Sequence, residues 1–316
     1  MGQSLLLRSA GVATVTAAIL QAPWFGSLPS RSKALLCLLL AYLPSYLDRS
    51  EFKTAPRRSQ ALARPVRACF RAFVQRVFTV EKTVLEAADK LASCKQCILA
   101  IHPHGVLSLD HLLTVIAFDS DLDRAAPQCR RSALSAGVLF KLPVLREVLL
   151  WTGCVDAGGK TVDACLKAGL SLSVVPGGER EQLLAQRGPL ECIVLKKRKG
   201  FVKYALRHGV ALVPVYCFGE AQLYHQSQFL MQFRSWVQRT IGIALVLPLG
   251  PGGLPGIPFP SPLRMVVGAP LDMPRIEQPT EAQISEHHAR YMAELEGLFK
   301  RHNTAAGYGH VQLQMV

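Results

Sequence analysis

The 316-residue chain lacks several features that would assign it a class at once. It has no G-x-S-x-G nucleophile elbow, which argues against a serine hydrolase. The recurring nucleic-acid-binding motifs are also missing, and the basic residues lie beside apolar runs, so nucleic acid is not an expected partner. Acidic residues are the scarce charge, 22 against 36 Lys and Arg. The resulting +14 is a field suited to an anionic membrane surface or a phosphate-bearing small molecule. No long flexible linker interrupts the middle, which points to one catalytic domain. The nine cysteines are odd in number and irregularly spaced, unlike a secreted disulfide framework, and read as reduced thiols facing the cytosol. Cys94 and Cys97 form a C-x-x-C, but zinc would need a second such pair or two suitably spaced histidines. A redox pair should open a helix, and here a strand is expected to follow, so neither metal nor redox chemistry is expected.

Half of the residues are hydrophobic and the mean hydropathy is +0.22, high for a soluble enzyme and diffuse for a bundle of spanning helices. Two apolar runs of 15 and 13 residues, Gly11–Phe25 and Ala34–Tyr46, flank a polar turn around Ser27, Pro29, Ser30, Arg31 and Lys33. Each is short of the roughly 20 residues of a relaxed span, which predicts a helical hairpin entering and leaving the membrane on the cytosolic side. Arg8 before it and Arg49, Lys53, Arg57 and Arg58 after it fit that topology. A secretory signal is the competing reading, opposed by the second apolar run. Gly2 does not make a myristoylation site, because Leu6 stands where Ser or Thr is needed.

The sequence therefore divides into a membrane-embedded hairpin over 1–50, a basic amphipathic interfacial segment over 51–94 and a catalytic domain over 95–316. In the second part Val66, Phe70, Phe73, Val74 and Val77 recur at helical spacing, with Arg64, Arg67, Arg71 and Arg76 mostly on other faces. An ordinary surface helix packed on the domain would look the same. Short apolar runs at Cys97–Ile101, Leu170–Val175, Ala211–Tyr216, Ile243–Leu247 and Arg264–Val267 read as buried strands. Helical patterns at Val138–Leu150, Thr161–Ala168 and Gly200–His208 alternate with them, giving an α/β fold with a mixed sheet flanked by helices. Pro248–Pro262 is a Pro- and Gly-rich loop. Thr280 caps a final helix whose Ile284, His288, Tyr291, Leu295 and Leu298 share one face.

The segment Ile101-His102-Pro103-His104-Gly105 directly follows a predicted strand, where α/β proteins keep their sites. Pro103 fixes the turn and Gly105 permits close approach to the backbone. An imidazole can take the proton of an alcohol near neutral pH and so activate it against a thioester. Taken alone, the pair is equally compatible with two metal ligands or two structural histidines.

In the order HPHG at His102–Gly105, Leu142-Pro143-Val144-Leu145-Arg146-Glu147, Arg198-Lys199-Gly200-Phe201-Val202-Lys203, Leu206-Arg207-His208-Gly209, Val213-Pro214-Val215-Tyr216, Phe218-Gly219-Glu220 and Val266-Val267-Gly268, the chain resembles the diacylglycerol acyltransferase type 2 family, which includes the monoacylglycerol and wax-alcohol acyltransferases. The resemblance covers roughly 46–308. It implies a glycerolipid-acyltransferase-like fold and an endoplasmic-reticulum and lipid-droplet enzyme with its active site facing the cytosol. The implied reaction makes triacylglycerol from acyl-CoA and diacylglycerol, with acyl-CoA as co-substrate and no cofactor. A monoacylglycerol or wax-alcohol acceptor would share every block, and a lipid-droplet membrane protein without activity is the non-enzyme alternative. A homo-oligomer is compatible with all of these.

The resemblance assigns catalysis to His102 and His104, with Pro103 and Gly105 shaping the turn. Broader glycerolipid acyltransferases place an Asp five positions after the His; here Leu109 stands there and Asp110 is one further. The carboxylate partner is therefore sought at Glu181, which completes the family's Gly-Gly-x-x-Glu with Gly177 and Gly178, or at Glu220. The glycines could offer N–H groups to an oxyanion, and a carboxylate could hold the imidazole tautomer. Solvated loop glutamates would be the bland reading. Arg198, Lys199, Gly200 and Arg207 lie in basic blocks suited to the phosphates of coenzyme A, although a solvated charge run has the same composition. A Tyr-Phe-Pro-like element ahead of HPHG has no clear counterpart, a departure that bears on acceptor choice.

Overall fold

The computed structural model describes residue 14 and residues 16–54, 59–116, 125–126 and 128–316. The chain forms two compact units, one ending at Ser50 and one running from Glu51 to Val316.

In the first unit, α1 (Pro23–Ser27) is five residues and α2 (Ser30–Leu47) is 18, separated by extended backbone at Leu28 and Pro29. The N-terminal membrane hairpin is overturned here: among the described residues, no helix is long and apolar enough to cross a membrane. The physical reason is local. The first turn of α2 carries Arg31 and Lys33, and Pro44 interrupts its far end, so the unbroken apolar stretch is far shorter than the helix. The first expected arm begins outside the described residues, and the topology argument built on two arms falls with the hairpin.

In the second unit, α3 (Gln60–Val77) starts at Ser59, whose Oγ accepts the Leu62 N–H. Ala63, Arg67 and Val74 are buried at helical spacing, whereas Leu62, Phe73 and Val77 are exposed. There follow β1 (Val84–Leu85), α4 (Ala88–Ser93), β2 (Cys97–His102), α5 (Leu109–Ile116), β3 (Arg131–Ser135), α6 (Leu145–Thr152), β4 (Cys154–Asp156), α7 (Gly159–Lys167), β5 (Ser171–Val174), α8 (Gly178–Leu184), β6 (Leu190–Ile193), α9 (Gly200–His208), β7 (Ala211–Phe218), β8 (His225–Gln226), α10 (Met231–Ile241), β9 (Pro248–Leu249), β10 (Arg264–Val267), α11 (Glu281–His302) and β11 (Gln312–Met315).

Seven strands form the main sheet in the order β1-β10-β7-β2-β5-β3-β4. Neighbours pair in parallel except β10 with β7, so the sheet is mixed. β2 lies in the middle and is buried on both faces. Its alternation divides the core: Ile98 and Ala100 join the cluster containing Val202, Leu206, Tyr291 and Leu295, while Cys97, Leu99 and Ile101 join Leu91, Val213 and Val267. The same period sends His102 toward α11.

The capping box of Thr280 and Gln283 fixes the start of α11, and Ile284, His288, Tyr291, Leu295 and Leu298 are all buried along its inner face. Two expected elements differ. Ile243–Leu247 forms no strand: the Leu245 carbonyl accepts from the Arg234 guanidinium and the Leu247 N–H donates to Gln226 Oε1 at 3.0 Å. Helix Val138–Leu150 is interrupted before Leu145, where Pro143 precedes Val144 at φ +68°.

Candidate active site

His102 closes β2 and is fully buried, which pushes its pKa down to about 3 and keeps the ring neutral. Its Nε2 lies 3.0 Å from the Tyr291 hydroxyl on α11, and that hydroxyl donates to the Ala100 carbonyl at 3.4 Å. With the phenol proton committed, the phenol oxygen is left to accept from His102 Nε2–H. His102 Nδ1 has no hydrogen-bond partner among the described residues. Pro103 follows through a cis peptide bond and turns the chain out of the strand.

His104 is the more accessible imidazole of the turn. Its backbone N–H donates to Glu181 Oε1, and its Nδ1 stands 3.3 Å from the Gly105 carbonyl. A carbonyl can only accept, so this contact puts the ring proton on Nδ1 and the free lone pair on Nε2. Burial lowers the His104 pKa below the usual histidine value, which favours the neutral form. Gly105 has φ +59°, and a Cβ there would fall 2.6 Å from Glu220 Cγ, so both backbone and space require glycine.

The two glutamates hold different parts of the turn and its continuation. Glu220 accepts the Leu109 N–H at 3.0 Å and the Asp110 N–H at 3.1 Å, satisfying the first turn of α5. Glu181 holds the His104 N–H with Oε1 and the Val194 N–H, at 2.7 Å, with Oε2. Burial raises Glu181 to about 7 and Glu220 to about 8. A Cβ on Gly177 would lie 2.7 Å from Glu181 Cβ, so this glycine gives the carboxylate its seat. The sequence suggested that a carboxylate would orient an imidazole; the described hydrogen bonds of both glutamates go to backbone N–H groups instead. They fix the turn, and the turn fixes the rings.

Further buried acids surround this centre. Asp110 accepts the His111 N–H at 2.5 Å, and burial, then the Glu220 charge, drive its pKa well up. Tyr216, the register partner of His102 across β2 and β7, donates to Glu191, whose pKa burial raises to about 7. Sequence reasoning assigned no site role to Tyr291, Tyr216 or Glu191. The one available signal was the Tyr291 phenol on a largely apolar helix face that it shares with His288, since a buried hydroxyl requires a partner.

The basic blocks separate. Arg198 reaches the glycine turn, donating to the Gly177 carbonyl at 3.3 Å. Lys199 donates to Ser285 Oγ on α11 at 2.8 Å, and Gly200 opens α9. Arg207 is not brought to the turn: about two helical turns along α9, it lies 3.8 Å from Asp163 and over the Tyr204 ring at 5.5 Å.

Residues 31–315 match the family model described as diacylglycerol acyltransferase. The chain belongs to that family. It is 35% identical over 238 residues to diacylglycerol O-acyltransferase 2 of Mus musculus, covering 71% of this chain and 61% of that protein. It is 33% identical over 229 residues to acyl-CoA wax alcohol acyltransferase 2 of Mus musculus, covering 68% of each. The chain thus spans about three fifths of the first of these relatives. Among solved structures, the 1-acyl-sn-glycerophosphate acyltransferase PlsC of Thermotoga maritima overlays with a TM-score of 0.45 at 16% identity, covering 82% of this chain and 89% of that one. Within the diacylglycerol acyltransferase family, the HPHG turn, the Gly-Gly-x-x-Glu segment and Arg198 are the parts that this fold assembles around one strand end.

Proposed function

We propose that the chain transfers a fatty acyl group from acyl-CoA to the free hydroxyl of diacylglycerol, giving triacylglycerol. The observation that carries this reading is the His104 tautomer: Nδ1 at 3.3 Å from the Gly105 carbonyl leaves Nε2 as a base beside a turn locked by Glu181. In the reaction, His104 Nε2 takes the acceptor O–H proton as the oxygen attacks the thioester carbon. Backbone N–H groups of the Gly177–Gly178 turn meet the oxyanion. The C–S bond then breaks, and the leaving thiolate recovers the proton from His104. No covalent acyl-enzyme and no cofactor enter this scheme.

Tyr291 positions His102, and His102 supports the wall of the turn. Arg198 and Lys199 hold coenzyme A phosphates, at the site where Arg198 already meets the glycine turn. The reading places the protein at endoplasmic-reticulum and lipid-droplet surfaces, its active site facing the cytosol. Support comes from the +14 charge and from exposed Phe229, Phe233, Trp236 and Ile241 on and beside α10.

A wax-alcohol acceptor is the second reading, favoured by the 33% identity to a wax-alcohol enzyme against 35% to a diacylglycerol enzyme. The test is an assay in membranes from cells lacking neutral-lipid synthesis, offering labelled acyl-CoA with diacylglycerol, monoacylglycerol and a long-chain alcohol. Preferential triacylglycerol formation supports the proposal, preferential wax ester selects the second reading, and no product from any acceptor sinks both in favour of a non-enzymatic lipid-surface protein.

A further inference from the structure

The C-x-x-C at Cys94 and Cys97 offers only two sulfurs in sequence, but folding brings a third to it from 32 residues beyond Cys97. Cys94 ends α4, with its N–H on the Leu91 carbonyl at 3.1 Å, and Cys97 is the first residue of β2. Cys129 precedes β3, its N–H on the Ala126 carbonyl at 3.0 Å and its thiol donating to the Cys94 carbonyl at 3.0 Å. The three Sγ atoms all lie within 4.8 Å of one another. Cys97 is buried, and Cys94 and Cys129 are half-buried. All nine cysteines are free thiols in this structure.

We propose that Cys94, Cys97 and Cys129 form a binding site for a soft d¹⁰ cation, zinc in the first instance, that staples the α4–β2 turn to the segment entering β3. Tetrahedral zinc with Zn–S bonds of about 2.3 Å needs sulfurs about 3.8 Å apart, so a contraction of an ångström or less completes the geometry. Binding takes all three sulfurs as thiolates, releasing whatever thiol protons they carry, and the three thiolates and Zn²⁺ leave a net charge of −1 beside Arg131, which opens β3. Solvent supplies the fourth ligand on the half-exposed side.

Two observations separate this site from other cysteine chemistry. A dithiol redox pair draws its reactivity from a helix N-terminus, whereas this pair follows the C-terminal end of α4 and opens a strand. A disulfide would use two sulfurs and strand the third, whereas here three converge. The site also lies at the opposite end of β2 from His102, about 16 Å along the strand, so its role is to hold the fold and it contributes nothing to acyl transfer.

The test uses the full chain purified in detergent without chelators. Metal analysis of the wild type should find about one zinc per chain, and exchange with Co²⁺ should produce thiolate-to-metal charge-transfer absorption. Cys94→Ser and Cys129→Ser should each retain the metal more weakly by on the order of tenfold or more in chelator competition, while Cys192→Ser, outside the cluster, should match the wild type. The cobalt spectrum of the wild type decides the matter even if a variant misfolds. A chain that neither carries zinc nor gives the cobalt charge-transfer band would overturn the site. So would wild-type retention in the Cys94 and Cys129 variants, or a disulfide between two of the three in the non-reduced intact mass.

Discussion

The Tyr291 hydroxyl and His102 Nε2 stand 3.0 Å apart, although 189 residues separate them in the chain. The contact joins the last helix to the central strand at the point where the HPHG turn begins. Tyr291→Phe should leave His102 Nε2 buried without a partner, at a cost of about 1–3 kcal/mol. A fall of several degrees in Tm is expected, with kcat reduced and the KM for acyl-CoA unchanged. An unchanged Tm and kcat would show that the phenol is only packing.

Glu181 and Gly177 should behave as one device. Glu181→Ala strands the His104 and Val194 N–H groups, and Gly177→Ala drives a Cβ into the carboxylate those groups bind. Because both changes break the same seat, the double variant should be less destabilised than the sum of the singles, by about 1 kcal/mol or more. Denaturant unfolding in detergent measures this. Strict additivity would mean that the two residues act separately.

Stability should fall as pH rises from about 6.5 to 8. Glu181 and Glu191 near 7 and Glu220 near 8 keep their protons in the folded state over a range where the unfolded chain, at ordinary carboxylate values, has lost them. The folded state therefore binds more protons, and its advantage is lost as pH passes through 7 and 8, by up to about 1.4 kcal/mol per pH unit for each proton of difference. His102 and His111, pushed down to about 3 and about 4 by burial, act oppositely, but only below the unperturbed histidine range. Thermal melts across pH 6.5 to 8.5 should therefore decline in Tm, and Glu220→Gln should flatten the slope. A flat wild-type profile would contradict the buried-acid account.

Lys199→Ala should raise the KM for acyl-CoA with little change in kcat, because a remote phosphate contact supplies uniform binding. Arg198→Ala should lower kcat as well, since Arg198 also holds the Gly177 carbonyl. Steady-state kinetics separates the two. Equal effects in both variants would remove the distinction.

The strand before HPHG, the capped helix after Thr280 and the basic helix start at Gly200 were legible because each is written locally, in apolar runs, caps and turn residues. What could not be read was carried by long-range packing. Tyr291 looked like one more core residue on its helix face, and Cys129 stood far from the C-x-x-C it joins. Glu181 and Glu220 could be named, but the choice between imidazole and backbone N–H as their partner depends on where strands and turns meet in space. The polar turn around Pro29 was legible, but that Arg31 and Lys33 fall inside the first turn of α2, with Pro44 inside its far end, was not, and among the described residues no helix is long and apolar enough to cross a membrane.

The central claim is that His104 Nε2 is the base for acyl transfer. Single-turnover transfer from labelled acyl-CoA to diacylglycerol, with wild type and His104→Ala in the same detergent or vesicle preparation, tests it most directly. The account predicts a rate lower by roughly 100-fold to 10,000-fold in the variant, with acyl-CoA binding and Tm preserved. Transfer at the wild-type rate by His104→Ala would contradict it.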